Sequence, residues 1–490
     1  SPSGLLAKDA LVYADGDGLY YNGNKIEGVT LSTLPENNPK RLVSMGAYIC
    51  VFPDKIYVNT ADLTEYGSME NSFSSTGNVS FTICDAEAAE YSVDYTSSSE
   101  PSSPENGEYW LDTSGDTHIL KRYSQTSAMW VEIPTVYVKI EAAGIGTGFK
   151  QYDGVTISGI SEEDEQLKSL NGSKILYQAA DNYIVIVGIL DEAKTVTDTV
   201  KVERKVPEMD FVIECQNRLW GCYYGIRDGE TVNEIFCCKL GDFKNWNCYA
   251  GRSTDSYVAT RGSDGPFTGA ADYLGSPLFF KEDCVERVYP SAAGAHQIVT
   301  VRCPGVRKGS GRSLQTVEGV LYYHGCGGVY AFDGSMPQRV SQALGEDEYH
   351  GAVAGGADGK YYLSVLDAEN QPQLLVYDVR QGLWHREDDL RAVGFAVSGG
   401  VLVLSLLYPQ TEANDKEGKM RIYAKAKEFR RRFEEIFGLT RCGELLKARP
   451  GVTDKNPAAQ RLGVTAHCDN MIVTAVEIVE QMLAEDPAKA

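Results

Sequence analysis

Short apolar runs rich in Tyr, Val and Phe alternate with Gly, Asp or Asn turns along most of the chain. Examples are ALVYADGDGLYYNG from Ala10 and YICVFPDKIYVNT from Tyr48. Aromatic and β-branched residues suit a pleated, half-buried strand, and Gly and Asn supply the backbone angles that tight hairpins need. The pattern returns in NRLWGCYYG from Asn217, NEIFCCKL from Asn233 and DYLGSPLFFKEDCVERVY from Asp272. It returns again in GVLYYHGCGGVYAFDG from Gly319, KYYLSVLD from Lys360 and QLLVYDVRQGLWHRE from Gln373. From Tyr223 onward these units recur roughly every 40–55 residues, the length of one propeller blade of about four strands.

Residues 78–206 break the pattern. TSSSEPSSPENG, from Thr96 to Gly107, is a Ser/Pro/Glu-rich connection. EYWLDTSGDTHILKRYSQTSAMWVEIP after it predicts a small β-meander with Trp110 and Trp130 as core aromatics, and VYVKI, GVTISGI and NYIVIVGIL predict three more strands. After residue 396 the period changes. Asn414 with Glu417 forms a capping box. Ile422, Ala426, Phe429, Phe433 and Ile436 then share one helix face, and Gly438 ends it. Ile472, Val476, Val479 and Leu483 predict a second helix, with Pro487 beyond. The expected fold class is mainly β, propeller-like, with an inserted β module and a short C-terminal α-helical segment. The expected parts are 8–77 and 207–395 for the propeller, 78–206 for the insertion and 396–490 for the helical segment.

Charge marks the same seam. The 490 residues carry 46 Lys+Arg and 68 Asp+Glu, net −22. From Asp415 onward there are 14 basic and 12 acidic residues, net +2, so the preceding 414 residues carry −24. A surface this acidic repels a phosphate backbone at long range, and direct nucleic-acid binding is not expected. The opening SPSGLLAKDALVYADGDG does not read as a signal peptide. The longest apolar stretch, Ala396 to Tyr408, is too short to span a bilayer.

Candidate chemistry is sparse. None of the twelve cysteines forms a Cys-x-x-Cys pair, and their density is far below that of a disulfide scaffold, so buried thiols are expected. Asp15-Gly16-Asp17-Gly18 starts like a calcium loop, but Leu19, Tyr20 and Tyr21 stand where acidic ligands belong, so it reads as a hairpin turn. Gly144-Ile145-Gly146-Thr147-Gly148 lacks the Lys and the helix of a phosphate loop and is expected to be a flexible loop. His118, His296, His324, His350, His385 and His467 show no ligand spacing, and no catalytic triad follows from their order. No catalytic, metal or cofactor residue is predicted. Arg430-Arg431-Arg432 reads as a solvated helix face paired with Glu434 and Glu435.

Two resemblances extend over long text. PEMDFVIECQNRLWGCYYG from Pro207, KLGDFKNWNCYAGRSTDSYVATRGSDGPFTGAADYLGSPLFFKEDCVERVYP, GVRKGSGRSLQTVEGVLYYHGCGGVYAFDG and GLWHREDDL resemble the stabilisation proteins of tailed-phage virions. The likeness covers about residues 8–395, including NGEYWLDTS and GIGTGFKQYDGV. It implies a non-enzymatic component of the virion, assembled in the host cytoplasm near the head–tail junction or in the tail. The implied partners are portal, connector or tail proteins and further copies of the chain in a ring. The implied family's last blade continues past the WHRED unit, where this chain changes text.

AVSGGVLVLSLLY, KAKEFRRRFEEIFGLTRCGELL and HCDNMIVTAVEIVEQML resemble the C-terminal half of a small redox-active family. That family is named for a Cys-Gly-Cys-Ala-x-x-Gly motif and two further cysteines. Cys442 and Cys468 stand where the last two belong, whereas Gly394-Phe395 occupies the place of Cys-Gly. The resemblance makes Cys442 and Cys468 redox candidates and a thiol-redox or metal-binding role the alternative function. A third reading, from the aromatic-rich composition of a phage propeller, is glycan binding at the virion surface, although Tyr in short strands is more often core or interface.

Overall fold

The computed structural model describes residues 2–33, 39–161, 163–345, 348–388, 391–392, 395 and 416–437, and seven positions between 474 and 485. The fold is mainly β. Six four-stranded sheets are meanders whose strands follow chain order, spanning 4–25, 41–68, 211–260, 269–302, 315–339 and 350–388. The chain forms two compact units. One comprises residues 1–42, 280–283 and 302–490, the other 43–279 and 284–301.

The turn chemistry is that expected of tight hairpins. Between first and second strands, both central residues have positive φ at Gln216-Asn217, Leu274-Gly275, Glu318-Gly319 and Asp358-Gly359. That is the type I′ geometry whose twist matches the flanking strands. The strand after each turn is the most buried of its meander. Tyr48–Phe52, Ser276–Phe280 and Val320–Gly325 are buried at nearly every position. Burial on both faces explains why these runs lack the in–out alternation of a half-exposed strand. Within the second unit, the first strand Phe211–Cys215 lies beside the next meander's first strand, Gly269–Tyr273. Gln216 Nε2 donates to Gly275 O across their turns (2.9 Å). Within the first unit, Gln315–Val317 lies beside His350–Ala357 in the same way. Trp220, Cys222, Ile235, Cys237 and Phe279 fill the core between two of these meanders. Tyr322, Tyr361, Leu363 and Leu375 fill another.

The last meander has all four of its strands, the fourth being Leu383–Asp388. The WHRED residues thus lie in the fourth strand of a complete four-stranded sheet.

Residues 71–204 form three further sheets. The paired strands Asn71–Ser74 and Lys201–Arg204 carry the chain out and back. Phe81, Val138, Ile140, Ile184 and Ile186 make the module's core. The glycine-rich segment 144–148 is a packed turn rather than the flexible loop expected from composition. Ile145 is fully buried, Gly144 N–H donates to Asn182 Oδ1 (3.0 Å), and a Cβ on Gly146 would lie 1.9 Å from Ala180 O. Its glycines serve close approach, not motion. Asp15–Gly18 is the hairpin turn between Ala10–Asp15 and Gly18–Tyr21, as predicted.

The helix Lys416–Phe437 forms where the apolar period placed it. Phe429, Phe433 and Ile436 pack against Ala475, Ile478, Val479 and Met482 of the second helical stretch. The capping residue Asn414, the stop at Gly438 and Ile472, Val476 and Leu483 lie outside the described residues.

Candidate functional site

Three places in the described residues bring reactive or polar side chains together. The first lies under the segment 303–313. Ser310 and Ser313 are fully buried and His324 is 2 % exposed. Ser310 Oγ is 3.1 Å from His324 Nδ1, and His324 N–H donates to Ser313 Oγ (2.9 Å). Ser313 Oγ donates to Ser310 O (2.7 Å), and Tyr361 OH donates to Ser313 O (2.8 Å). A Ser–His pair suggests nucleophilic catalysis, but the surroundings oppose it. Burial, then the nearby Arg307 and His350, hold the His324 pKa at about 4. A base that weak and that enclosed does not withdraw a serine proton at neutral pH. The cluster is a polar stitch that satisfies buried groups and ties the segment to two meanders.

The second is the outer face of the small sheet 95–132. Leu111 and Leu120 point into the module core. On the other face Trp130 meets Tyr95, Trp110 and Tyr123 edge-on, with centroids 6.2, 5.5 and 5.3 Å away. Lys121 Nζ sits 4.6 Å from the Trp110 ring centre and 2.8 Å from Asp112 Oδ2. The hydrogen bond from Lys121 lowers the Asp112 carboxyl to about 2. Trp110 is buried, as the sequence predicts for a core aromatic of this small meander, while Trp130 is half-buried, and the two belong to an aromatic cluster on the face opposite Leu111 and Leu120. The strand register decides this: Trp110 and Lys121 are paired neighbours on the face opposite Leu111 and Leu120.

The third is the ion pair of Arg204 with Asp153, both at least nine-tenths buried. Asn245 Nδ2 donates to Asp153 Oδ1 (2.9 Å), and Gly154 N–H donates to Asn245 Oδ1 (2.9 Å). A Cβ on Gly154 would lie 2.3 Å from Asn247 O. This clamp fixes the returning strand of the module to the loop before the strand Tyr257–Thr260. Beside it, Ser68, Glu70, Asn71, Ser72, Glu203 and Lys205 line a shallow polar crevice of about 400 Å³.

The remaining candidates fall as follows. His118 Nδ1 is 2.6 Å from Asp191 Oδ1, and His350 Nε2 is 3.0 Å from Asn370 Oδ1. His296 Nδ1 accepts from Ser291 N–H (3.0 Å), and its ring meets Trp220 edge-on at 5.1 Å. Among the described residues no His, Cys, Asp or Glu group has metal-binding geometry. Ten cysteines lie among the described residues, nine of them buried and Cys326 exposed. Desolvation pushes the Cys237 thiol up to about 12, which keeps it protonated and inert. Cys442, Cys468 and His467 lie outside the described residues. Arg431 pairs with Glu428 and Glu435, and Arg432 with Glu428 (2.7 Å) and Glu485 (3.1 Å). Arg430 reaches Asn22. Of the expected partners Glu435 pairs with the run, and Glu428 and Glu485 join it.

Sequence reasoning missed the Ser310–His324 stitch, because fourteen residues separate the partners and the loop 303–313 must fold back on the strand Val320–Gly325 to join them. It also missed the Arg204–Asp153 clamp, whose partners stand 51 residues apart in the sequence.

Residues 394–482 match the family described as "Putative redox-active protein (C_GCAxxG_C_C)". No curated protein matches the sequence. Among solved structures the chain is similar to a puromycin hydrolase S511A mutant complexed with PGG, at 9 % identity and a TM-score of 0.24. That likeness covers 71 % of this chain and 54 % of the hydrolase, so the chain spans about half the hydrolase's length. It is also similar to AztD of Citrobacter koseri, at 10 % identity and a TM-score of 0.17, covering 65 % of this chain and 96 % of that one. At these scores neither likeness defines the fold or an activity. No helix among the described residues is long and apolar enough to cross a membrane.

Proposed function

We propose that residues 8–395 form a structural virion component of a tailed bacteriophage or prophage, working at the head–tail junction or in the tail without enzymatic activity. The meanders are blades of a propeller, the module 78–206 is carried on its rim, and copies assemble in a ring with portal, connector or tail proteins. The observation that carries this reading is the repeated meander, with the first strand beside the next meander's first strand in two successive pairs. That neighbourhood is what a radial arrangement of blades requires. The text from Pro207 to Leu390, which resembles virion stabilisation proteins, supports it. So does the inert character of the Ser310–His324 pair. Antibodies raised against residues 207–395 should label intact virions at one end of the head or along the tail in negative-stain images. Virions free of label and of its peptides by mass spectrometry would refute the reading.

The family match at 394–482 favours a second reading for the C-terminal segment alone. With Gly394-Phe395 at the place of Cys-Gly, only Cys442 and Cys468 of the family's thiol set are present. Two thiols can form one disulfide if their Cα atoms come within about 7 Å, but they do not rebuild a four-cysteine centre. The segment therefore keeps a helical scaffold of that family without its redox turnover or metal. Stoichiometric metal lost on Cys442→Ser would overturn this.

A further inference from the structure

Two ring nitrogens in the second unit are buried without a partner. Among the described residues, His296 Nε2 and Trp220 Nε1 are enclosed and make no hydrogen bond. Trp220 is fully buried and His296 is 8 % exposed. Their rings meet edge-on with centroids 5.1 Å apart, and Tyr257 stands 5.1 Å from His296 and 6.3 Å from Trp220. Trp220 lies on the strand Arg218–Arg227 of one meander, and His296 immediately precedes Gln297–Arg302, the last strand of the next. An indole nitrogen always bears a proton. Ser291 N–H donates to His296 Nδ1 (3.0 Å), so in the neutral ring the proton is on Nε2. Burial, and then the charge of Arg218, lower the His296 pKa and favour that neutral ring. Both nitrogens are therefore N–H donors, and a buried donor left unmet is costly.

The nearby charge is positive. Arg218 is 4 % exposed and donates to Cys238 O (2.7 Å), Asp255 O (2.7 Å) and Ser253 O (3.0 Å). These backbone carbonyls solvate the guanidinium, but among the described residues it forms no ion pair with a carboxylate. Buried charges are ordinarily balanced by an opposite one. A water molecule could accept from both ring donors, but its own hydrogens would then need acceptors. The carbonyls at hand already receive donors: His296 O accepts from Tyr257 OH (3.3 Å), and the other three from Arg218. A group that only accepts, and carries negative charge, meets both needs. The chain's distant carboxylates weigh little here, because exposed charges beyond about 10 Å are largely screened at 0.1 M salt, whereas a buried neighbour is screened much less. Both nitrogens are sealed from solvent, which leaves room for a single atom rather than a larger anion. Gly294, at φ 81°, holds the His296 loop against Ser253, since a Cβ there would lie 2.9 Å from Ser253 Cα.

We propose that His296 Nε2–H and Trp220 Nε1–H, beside the Arg218 guanidinium, bind one buried halide ion, chloride under ordinary conditions. The ion ties the meander 211–260 to the meander 269–302. The site stands independently of the virion role proposed above.

The test is thermal unfolding of the full chain in sodium chloride, bromide and gluconate at equal ionic strength, for wild type, Trp220→Phe and His296→Phe. The expected result is a wild-type Tm that is higher in either halide than in gluconate. Above the dissociation constant it should rise by roughly 1 °C for each tenfold increase in halide. That slope should vanish in both variants, whatever their own Tm. Crystals grown in bromide should show an anomalous peak within hydrogen-bonding reach of both ring nitrogens. Should far-UV circular dichroism show one variant to be unfolded, the other variant and the bromide crystals still decide the matter. A wild-type Tm indifferent to halide, or a halide slope kept by a folded variant, would overturn the site. Water or empty space between the nitrogens in the bromide crystals would overturn it as well, leaving the donors to solvent or to the faces of the neighbouring rings.

Discussion

His324 carries the clearest pH signature. Its imidazole is buried and neutral, with a folded pKa of about 4 against an ordinary 6.5. The unfolded chain binds the proton more readily, so folding stability contributed by this residue is full above pH 6.5 and is lost as pH falls toward 4. The difference corresponds to on the order of 3 kcal/mol. His296, lowered by burial and then by Arg218, acts in the same direction. Urea unfolding followed from pH 7.5 down to 4.5 should show the midpoint falling, and H324Q should flatten that fall while retaining a partner for Ser310. A midpoint independent of pH in the wild type would count against the buried neutral imidazole. Trp220 is fully buried among Cys222, Ile235 and Phe279, so Trp220→Ala should cost roughly 3–5 kcal/mol.

Among elements, the paired strands Asn71–Ser74 and Lys201–Arg204 join the inserted module to the rest, and Arg204–Asp153 closes that joint. Removing one partner leaves the other charge buried, so Asp153→Ala should destabilise by roughly 3–5 kcal/mol. An apolar pair at both positions should recover much of that loss. Chemical denaturation of the single and double variants checks both statements, and equal loss in single and double variants would contradict the clamp. The helical segment behaves differently. Among the described residues Phe429, Phe433 and Ile436 pack against Ala475, Ile478, Val479 and Met482, and a segment this short is expected to have low stability by itself. Limited proteolysis should cut between 396 and 415 first and release a fragment of low Tm. A protease-resistant junction would show that the segment is held elsewhere.

At the scale of the whole molecule, the thiols provide a simple measure of how much of the chain is sealed. Nine of the ten described cysteines are buried. Ellman titration of the native chain should therefore reach Cys326 and whichever of Cys442 and Cys468 are reduced, with nine further thiols appearing only in denaturant. More than three reactive thiols in the native chain would mean that the meander cores open readily.

The sequence by itself determined the class of structure, because local rules suffice for it. Gly, Asn and Asp at turns such as Asp358-Gly359, with Tyr- and Val-rich runs between them, allow little but hairpins. A 3.6-residue period around Phe429, Phe433 and Ile436 allows little but a helix. The change of charge and period near residue 396 marked where the family match to the C-terminal segment begins. What only the tertiary structure decided is which face and which neighbour each residue meets. Trp110 and Trp130 read as core in sequence; Trp110 is buried, but the register sets both on the face opposite Leu111 and Leu120, where Trp130 stays half-buried. Gly144–Gly148 reads as loose, and contact with a strand over thirty residues away made it tight. Ser310 met His324 through a loop folded back on a strand, and Asp153 met Arg204 through strand pairing, closing distances along the chain that no local pattern records.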